Sequence, residues 1–154
     1  MIEKIVSGGQ TGADRAGLDA AIACGVPHGG WCPKGRKAED GTIPERYQLT
    51  ETQGASYLAR TERNVKRSDG TVIFTVGELA GGSLRTVDFA RRHRKPWIHI
   101  RLGEVADEQA VNDLRQFIKA HRIKLINVAG SSESRESGLY QRVRSVVCLV
   151  LHSK

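Results

Sequence analysis

Lys4-Ile5-Val6-Ser7-Gly8-Gly9-Gln10-Thr11-Gly12-Ala13-Asp14-Arg15 is the stretch on which the reading of this chain turns. Its first three residues form a short β-like run. From Asp14 to Cys24 the residues Ala16, Leu18, Ala20, Ala21 and Ile22 fall on a helical pattern, with Gly25 as the stop. Strand, glycine-rich turn and helix N-terminus, in that order, are how an α/β protein builds an anion site. Glycine lets the backbone turn sharply and come close to a ligand. The N–H groups of the helix's first turn then face negative charge. Asp14 suits that first turn, where a carboxylate complements the positive helix end. The turn has neither the Gly-Lys-Ser/Thr ending of a P-loop nor the spacing of a dinucleotide fingerprint. A phosphate-bearing ligand is the expectation it raises.

Outward from this turn, strands and helices alternate. Val26 to Glu51 is long and contains glycine and proline, including Gly29-Gly30-Trp31-Cys32-Pro33-Lys34-Gly35-Arg36. Loops of this length in a compact domain are functional or disordered, and the anchors Trp31 and Tyr47 predict an ordered one. A helix is expected over Ser56 to Arg67, and a central parallel strand over Gly70 to Val76, an almost unbroken apolar run. A second glycine turn, Ala80-Gly81-Gly82-Ser83, opens a helix that reaches about Arg94. Then come a strand at Trp97 to Arg101, a helix at Asp107 to His121 and a strand at Ile123 to Val128. That strand ends in Ala129-Gly130-Ser131-Ser132, and a last helix starts near Glu136. This order predicts a three-layer α/β sandwich with a mostly parallel sheet. Ligands of such sheets bind beyond the strands' C-terminal ends. The three small-residue turns, at Gly8–Gly12, Gly81–Ser83 and Gly130–Ser132, all fall there and can line one crevice.

Composition bounds the function. The 154 residues suit one domain, spanning 1–154, with 39% hydrophobic and 27% charged residues. No apolar run approaches the ~20 residues that span a bilayer, so no membrane association is expected. Strand-like sequence at the very start predicts no signal peptide. Cys24, Cys32 and Cys148 are an odd, scattered set, which predicts reduced thiols and a cytoplasmic setting. The five histidines show no metal-ligand spacing, so no metal site is expected. The net charge of +7 is spread over several helices, and aromatics are only 5%. That favours a small anionic ligand over a nucleic-acid partner.

These motifs resemble a known family. Ser7 to Arg15, Gly30 to Arg36, Arg60-Thr61-Glu62-Arg63-Asn64-Val65, Ser68-Asp69-Gly70-Thr71 and Asn127-Val128-Ala129-Gly130 are similar to the molybdenum-cofactor carrier family. That family is a Rossmann-like branch of the SLOG superfamily, related to lysine-decarboxylase-like phosphoribohydrolases. The resemblance runs from Ile5 to about Tyr140. It implies a Rossmann-like fold, a cytoplasmic homo-oligomer, and binding of molybdenum cofactor or another phosphorylated pterin or nucleotide. The superfamily's hydrolases carry a Pro-Gly-Gly-x-Gly-Thr-x-x-Glu loop. Here the stretch reads Ala80-Gly81-Gly82-Ser83-Leu84-Arg85-Thr86-Val87-Asp88, with altered spacing and an aspartate as the acid. A binding or carrier protein is therefore favoured over an enzyme. A nucleoside-monophosphate phosphoribohydrolase or a nucleotide-sensing protein is the alternative.

The expected ligand-binding residues are Gly8, Gly9, Gln10, Thr11, Gly12, Asp14, Lys34, Arg36, Gly81, Gly82, Ser83, Thr86, Gly130 and Glu136. Gln10 and Thr11 can hydrogen-bond a phosphate or a pterin edge, or simply stabilise the turn. Lys34 and Arg36 flank Gly35 and can close over a phosphate, or remain a solvated loop. Glu136 can accept hydrogen bonds from a pterin or guanine edge, or sit at a helix start. No catalytic residue is expected: Ser7, Ser83 and Ser131 show no base partner in the sequence.

Overall fold

The computed structural model describes residues 1–54 and 56–152. β1 (Lys4–Val6) leads into α1 (Ala13–Ala23), as its glycine turn requires. The long segment that follows is ordered by five two-residue strands: β2 (His28–Gly29), β3 (Trp31–Cys32), β4 (Lys37–Ala38), β5 (Gly41–Thr42) and β6 (Thr50–Glu51). Then come α2 (Tyr57–Lys66), β7 (Gly70–Thr75), α3 (Gly82–Arg92), β8 (Trp97–Arg101), α4 (Asp107–His121), β9 (Leu125–Gly130) and α5 (Leu139–His152).

The main sheet has the order β2-β1-β9-β7-β8, and every pairing is parallel. The chain runs outward from β1 to β2, crosses to β7 and β8, and returns with β9 to fill the centre. All strands therefore point their C-terminal ends at one edge, and the turns after β1, β7 and β9 gather there. This is a Rossmann-like α/β sandwich.

Its two faces differ in chemistry because side chains alternate along each strand. Ile5, Val72, Phe74, Ile100, Ile126 and Val128 meet α1, α4 and α5 in the larger core. The opposite face carries Thr71, Thr75 and Asn127, all buried, with Asn127 Nδ2 donating to Thr71 Oγ1 at 3.2 Å. α2 and α3 cover that side through Val65, Phe89 and Ala90, which pack with Trp97 of β8. A third cluster, Leu18, Cys32, Ile43 and Tyr47, anchors the long segment on α1. Asn64 of α2 clamps β3 from both sides: it accepts from Trp31 N at 2.9 Å and donates to Trp31 O at 3.0 Å.

Besides shifts of one or two residues at the ends of α1, α2, β7 and α3, two boundaries differ from the sequence reading. The last helix starts at Leu139, not near Glu136, because Glu136 is drawn back to bracket the end of β7. The last strand is shifted two residues on, to Leu125–Gly130; Ile123 is buried ahead of it as a core residue.

Candidate functional site: a crevice between two glycine-capped helices

At the C-terminal edge of the sheet lies a crevice of about 220 Å³. Its walls come from the β1 turn (Gln10, Thr11, Asp14), the β7–α3 turn (Ala80, Gly82, Ser83) and the β9 turn (Gly130, Ser131, Ser132). Three segments distant in sequence thus converge, as their places after parallel strands require.

Two helices open onto it in the same way. α1 has Gly12 as N-cap with φ 84°, α3 has Gly81 with φ 52°, and neither cap has a side-chain hydrogen bond. In α2, by contrast, Ser56 accepts from Leu58 N at 3.2 Å. A glycine cap provides no side-chain acceptor for the first-turn amides; those of Arg15 and Ser83 turn to the backbone carbonyls of Gln10 and Ala80, and both helices present their positive ends to the crevice. Gly12 also meets a steric demand. A Cβ there would stand 2.4 Å from Ser131 O and 2.7 Å from Glu133 N. The two turns touch backbone to backbone, and Ala13 N donates to Ser131 O at 3.1 Å.

Electrostatics centre on Arg60 and Asp14. The Asp14 carboxylate is buried and accepts from Gln10 N at 3.2 Å and Arg60 Nη1 at 3.3 Å. Burial pushes its acid strength down, raising its pKa in spite of the Arg60 charge beside it. Arg60 Nε is itself buried with no hydrogen-bond partner among the described residues. Arg135 and the half-exposed Tyr57 complete the rim. Glu39 forms a latch across the mouth: it accepts from Thr11 Oγ1 and, at 2.5 Å, from Ser134 Oγ. Those hydrogen bonds hold its carboxyl below the usual carboxylate range.

Of the expected site residues, Gln10, Thr11, Asp14, Gly82, Ser83 and Gly130 line the crevice. Gly8 lies beneath Arg60, while Gly12 and Gly81 cap the two helices. Gly9 faces away: a Cβ there would meet Leu49 Cδ1 at 2.6 Å, so its freedom serves packing of the long segment. Thr86 is buried a turn further along α3 and donates to Gly82 O at 3.0 Å, behind the wall. Glu136 is also behind it. Its carboxylate accepts from Val76 N at 2.7 Å, Gly77 N at 2.9 Å and Ser131 Oγ at 2.5 Å. Lys34 is exposed and outside the crevice. The Arg36 guanidinium donates to the carbonyls of Ile43, Pro44, Leu49 and Tyr47, so it ties the long segment into a loop.

Glu39, Tyr57, Arg60, Ser131, Ser132 and Arg135 line the crevice but were not among the expected residues. Arg60 did carry a signal, since it opens one of the motifs quoted above. Ser131 has a carboxylate partner that the sequence did not disclose, although that carboxylate is held by two amides. Asp88, the acid in the hydrolase-like stretch, is exposed on α3 and is not a crevice residue. Cys32 is buried between Leu18, Ile43 and Tyr47, with burial pushing its thiol pKa up. Among the described residues, no group of three or more His, Cys, Asp or Glu is placed to hold a metal ion. None of their helices is long and apolar enough to cross a membrane.

A parallel sheet whose glycine-capped helices meet at its C-terminal edge defines the Rossmann-like class. Within that class, the model of the circularly permutated YpsA SLOG family matches residues 5–151, and the chain belongs to this family. A solved structure from Syntrophus aciditrophicus SB, described as a "putative molybdenum carrier protein", shares 45% identity. It superposes with a TM-score of 0.95, and the match covers 99% of this chain and 96% of that one. No curated protein matches the chain.

Proposed function

We propose that the crevice binds a phosphorylated pterin, molybdenum cofactor or a close analogue, and that the chain carries this ligand without transforming it. The observation that carries the reading is the meeting of two glycine-capped helix N-termini beside Arg60. Helix amides and a guanidinium are the donors a phosphate takes. Glu39, at the mouth, offers a carboxylate to the N–H edge of a pterin, and Gln10 offers an amide. With a volume of about 220 Å³, the crevice seats the phosphate end, leaving the ring toward Tyr57. Metal would come as cargo on the pterin, since Cys32 lies in a separate cluster. The Syntrophus protein's description supports the same reading. The working state of this reading is a cytoplasmic homo-oligomer with no nucleic-acid partner.

A nucleoside monophosphate is the second ligand class, because it brings the same phosphate with another flat ring. Its hydrolysis is disfavoured by the position of Asp88 on the outer face of α3. The test is mass spectrometry of small molecules released from the purified protein, followed by calorimetry with each one found. Molybdopterin supports the carrier reading. A nucleotide, or release of free base from nucleoside monophosphates, overturns it.

A further inference from the structure

A larger cavity than this crevice is also present. It lies at the opposite edge of the sheet, before the strands begin, and has a volume of about 790 Å³. That is within the range of small-molecule sites, roughly 300–1,000 Å³. Its floor is apolar, made by Ile2, Val26, Ile118, Ile123, Val150 and Leu151. The charged side chains that line it are Arg115, Lys119, Arg122 and Lys124, with no carboxylate among the described lining residues. Lys119, Arg122 and Lys124 are exposed. Two acids stand beside Lys124: Asp69, whose carboxylate accepts from the backbone N–H groups of Lys124 at 2.9 Å and Leu125 at 2.8 Å, and Glu3, 3.7 Å from Lys124 Nζ in a solvent-exposed pair, and such pairs are weak.

We propose that this cavity binds a long-chain fatty acid anion, its chain on the apolar floor and its carboxylate among the Lys119, Arg122 and Lys124 cations. The floor explains the chain, since burying apolar surface contributes roughly 25 cal/mol per Å². The one-sided charge explains the headgroup. A second copy of this protein would bring cations against cations, which disfavours self-association through this face. A peptide would bring backbone N–H groups that need acceptors, and the lining side chains offer none. A fatty acid makes no such demand. The site is separated from the crevice by the length of the sheet and does not depend on the function proposed there.

The test is titration of the intact protein with the fluorescent fatty acid cis-parinaric acid, followed by displacement. Saturable binding is expected, displaced by palmitate but not by hexadecanol, acetate or pyrophosphate. The double variant Lys119→Glu, Arg122→Glu should weaken binding about tenfold or more, as loss of charge-assisted contacts does. Leu151→Trp should fill the floor and abolish it, with circular dichroism confirming that both variants fold. Equal displacement by hexadecanol, or unchanged affinity in the charge-reversed variant, would overturn the proposal. So would binding only to anionic phospholipid vesicles, or a dimer in sedimentation that takes up no palmitate.

Discussion

Arg60 Nη1 stands 3.3 Å from the buried Asp14 carboxylate and directly over Gly8, where a Cβ would come within 2.0 Å of that nitrogen. The guanidinium reaches the crevice because position 8 has no side chain. The φ of Gly8 is not in the left-handed range, so alanine there is not strained by the backbone. The conflict is with the end of a flexible side chain, which can swing away. Gly8→Ala should therefore fold normally and lose anion binding. A charge-assisted hydrogen bond contributes about 1.5–3 kcal/mol, so a loss of roughly tenfold or more is expected. Calorimetry with the crevice ligand measures it, with Arg60→Ala as the reference. Full affinity in folded Gly8→Ala would remove Arg60 from the site.

Glu136 supports the crevice from behind by joining the end of β7 to the β9 turn. Glu136→Ala would leave the amides of Val76 and Gly77 without their acceptor, at about 1–3 kcal/mol each if they stay dry. A drop of a few kcal/mol is expected in urea unfolding, with ligand affinity falling as the Ser131 turn loosens. Glu136→Gln should recover part of the loss, since one oxygen remains to accept. A variant as stable as the parent chain would show that water replaces the carboxylate.

Hydrophobic periodicity made the layered fold legible, because the larger core depends on regular repeats such as Ala16–Ala20 and Val143–Val147. The glycine turns located the crevice for the same local reason: a strand, a turn and a helix start are adjacent in sequence. The two-residue strands β2 to β6 were not legible, since two residues carry no period. Arg36 shows a different limit. Between Gly35 and Lys37 it reads as a ligand cation, yet the path of residues 43–49 brings four carbonyls around it. Glu39 and Ser134 meet across 95 residues of chain, a distance no local pattern bridges.

Gly17 lies inside α1, where replacing glycine by alanine ordinarily stabilises a helix by about 1 kcal/mol. Here the sign should reverse. A Cβ at Gly17 would lie 2.7 Å from both Cβ and Cγ1 of Val128 on the central strand β9. Both partners belong to packed secondary structure, and overpacking of this kind costs roughly 1–3 kcal/mol. Gly17→Ala should lower the thermal midpoint, and the pair Gly17→Ala, Val128→Ala should regain part of it. A raised midpoint in the single variant would mean that α1 can lift from the sheet freely.

Tyr140 of α5 donates its phenol hydrogen to Asp19 Oδ2 of α1, joining the two helices across 121 residues. Burial, and then the neighbouring carboxylate, favour the neutral phenol and push its pKa up from 10 to about 12. The sign follows from linkage: a pKa raised in the folded state contributes stability that is complete below the unfolded value. That contribution is lost as pH rises through about 12. Phenolate absorbance should show a late step near this pH that is missing in Tyr140→Phe. The stability gap between the two proteins should stay constant up to about pH 10, the ordinary tyrosine value, and close above it. Its size should be about 1.5 kcal/mol, the scale of a hydrogen bond to a charged group, with Arg46 left to partner Asp19 at 3.3 Å in the variant. Superimposable titration curves would place the phenol in water and remove this tie between α1 and α5.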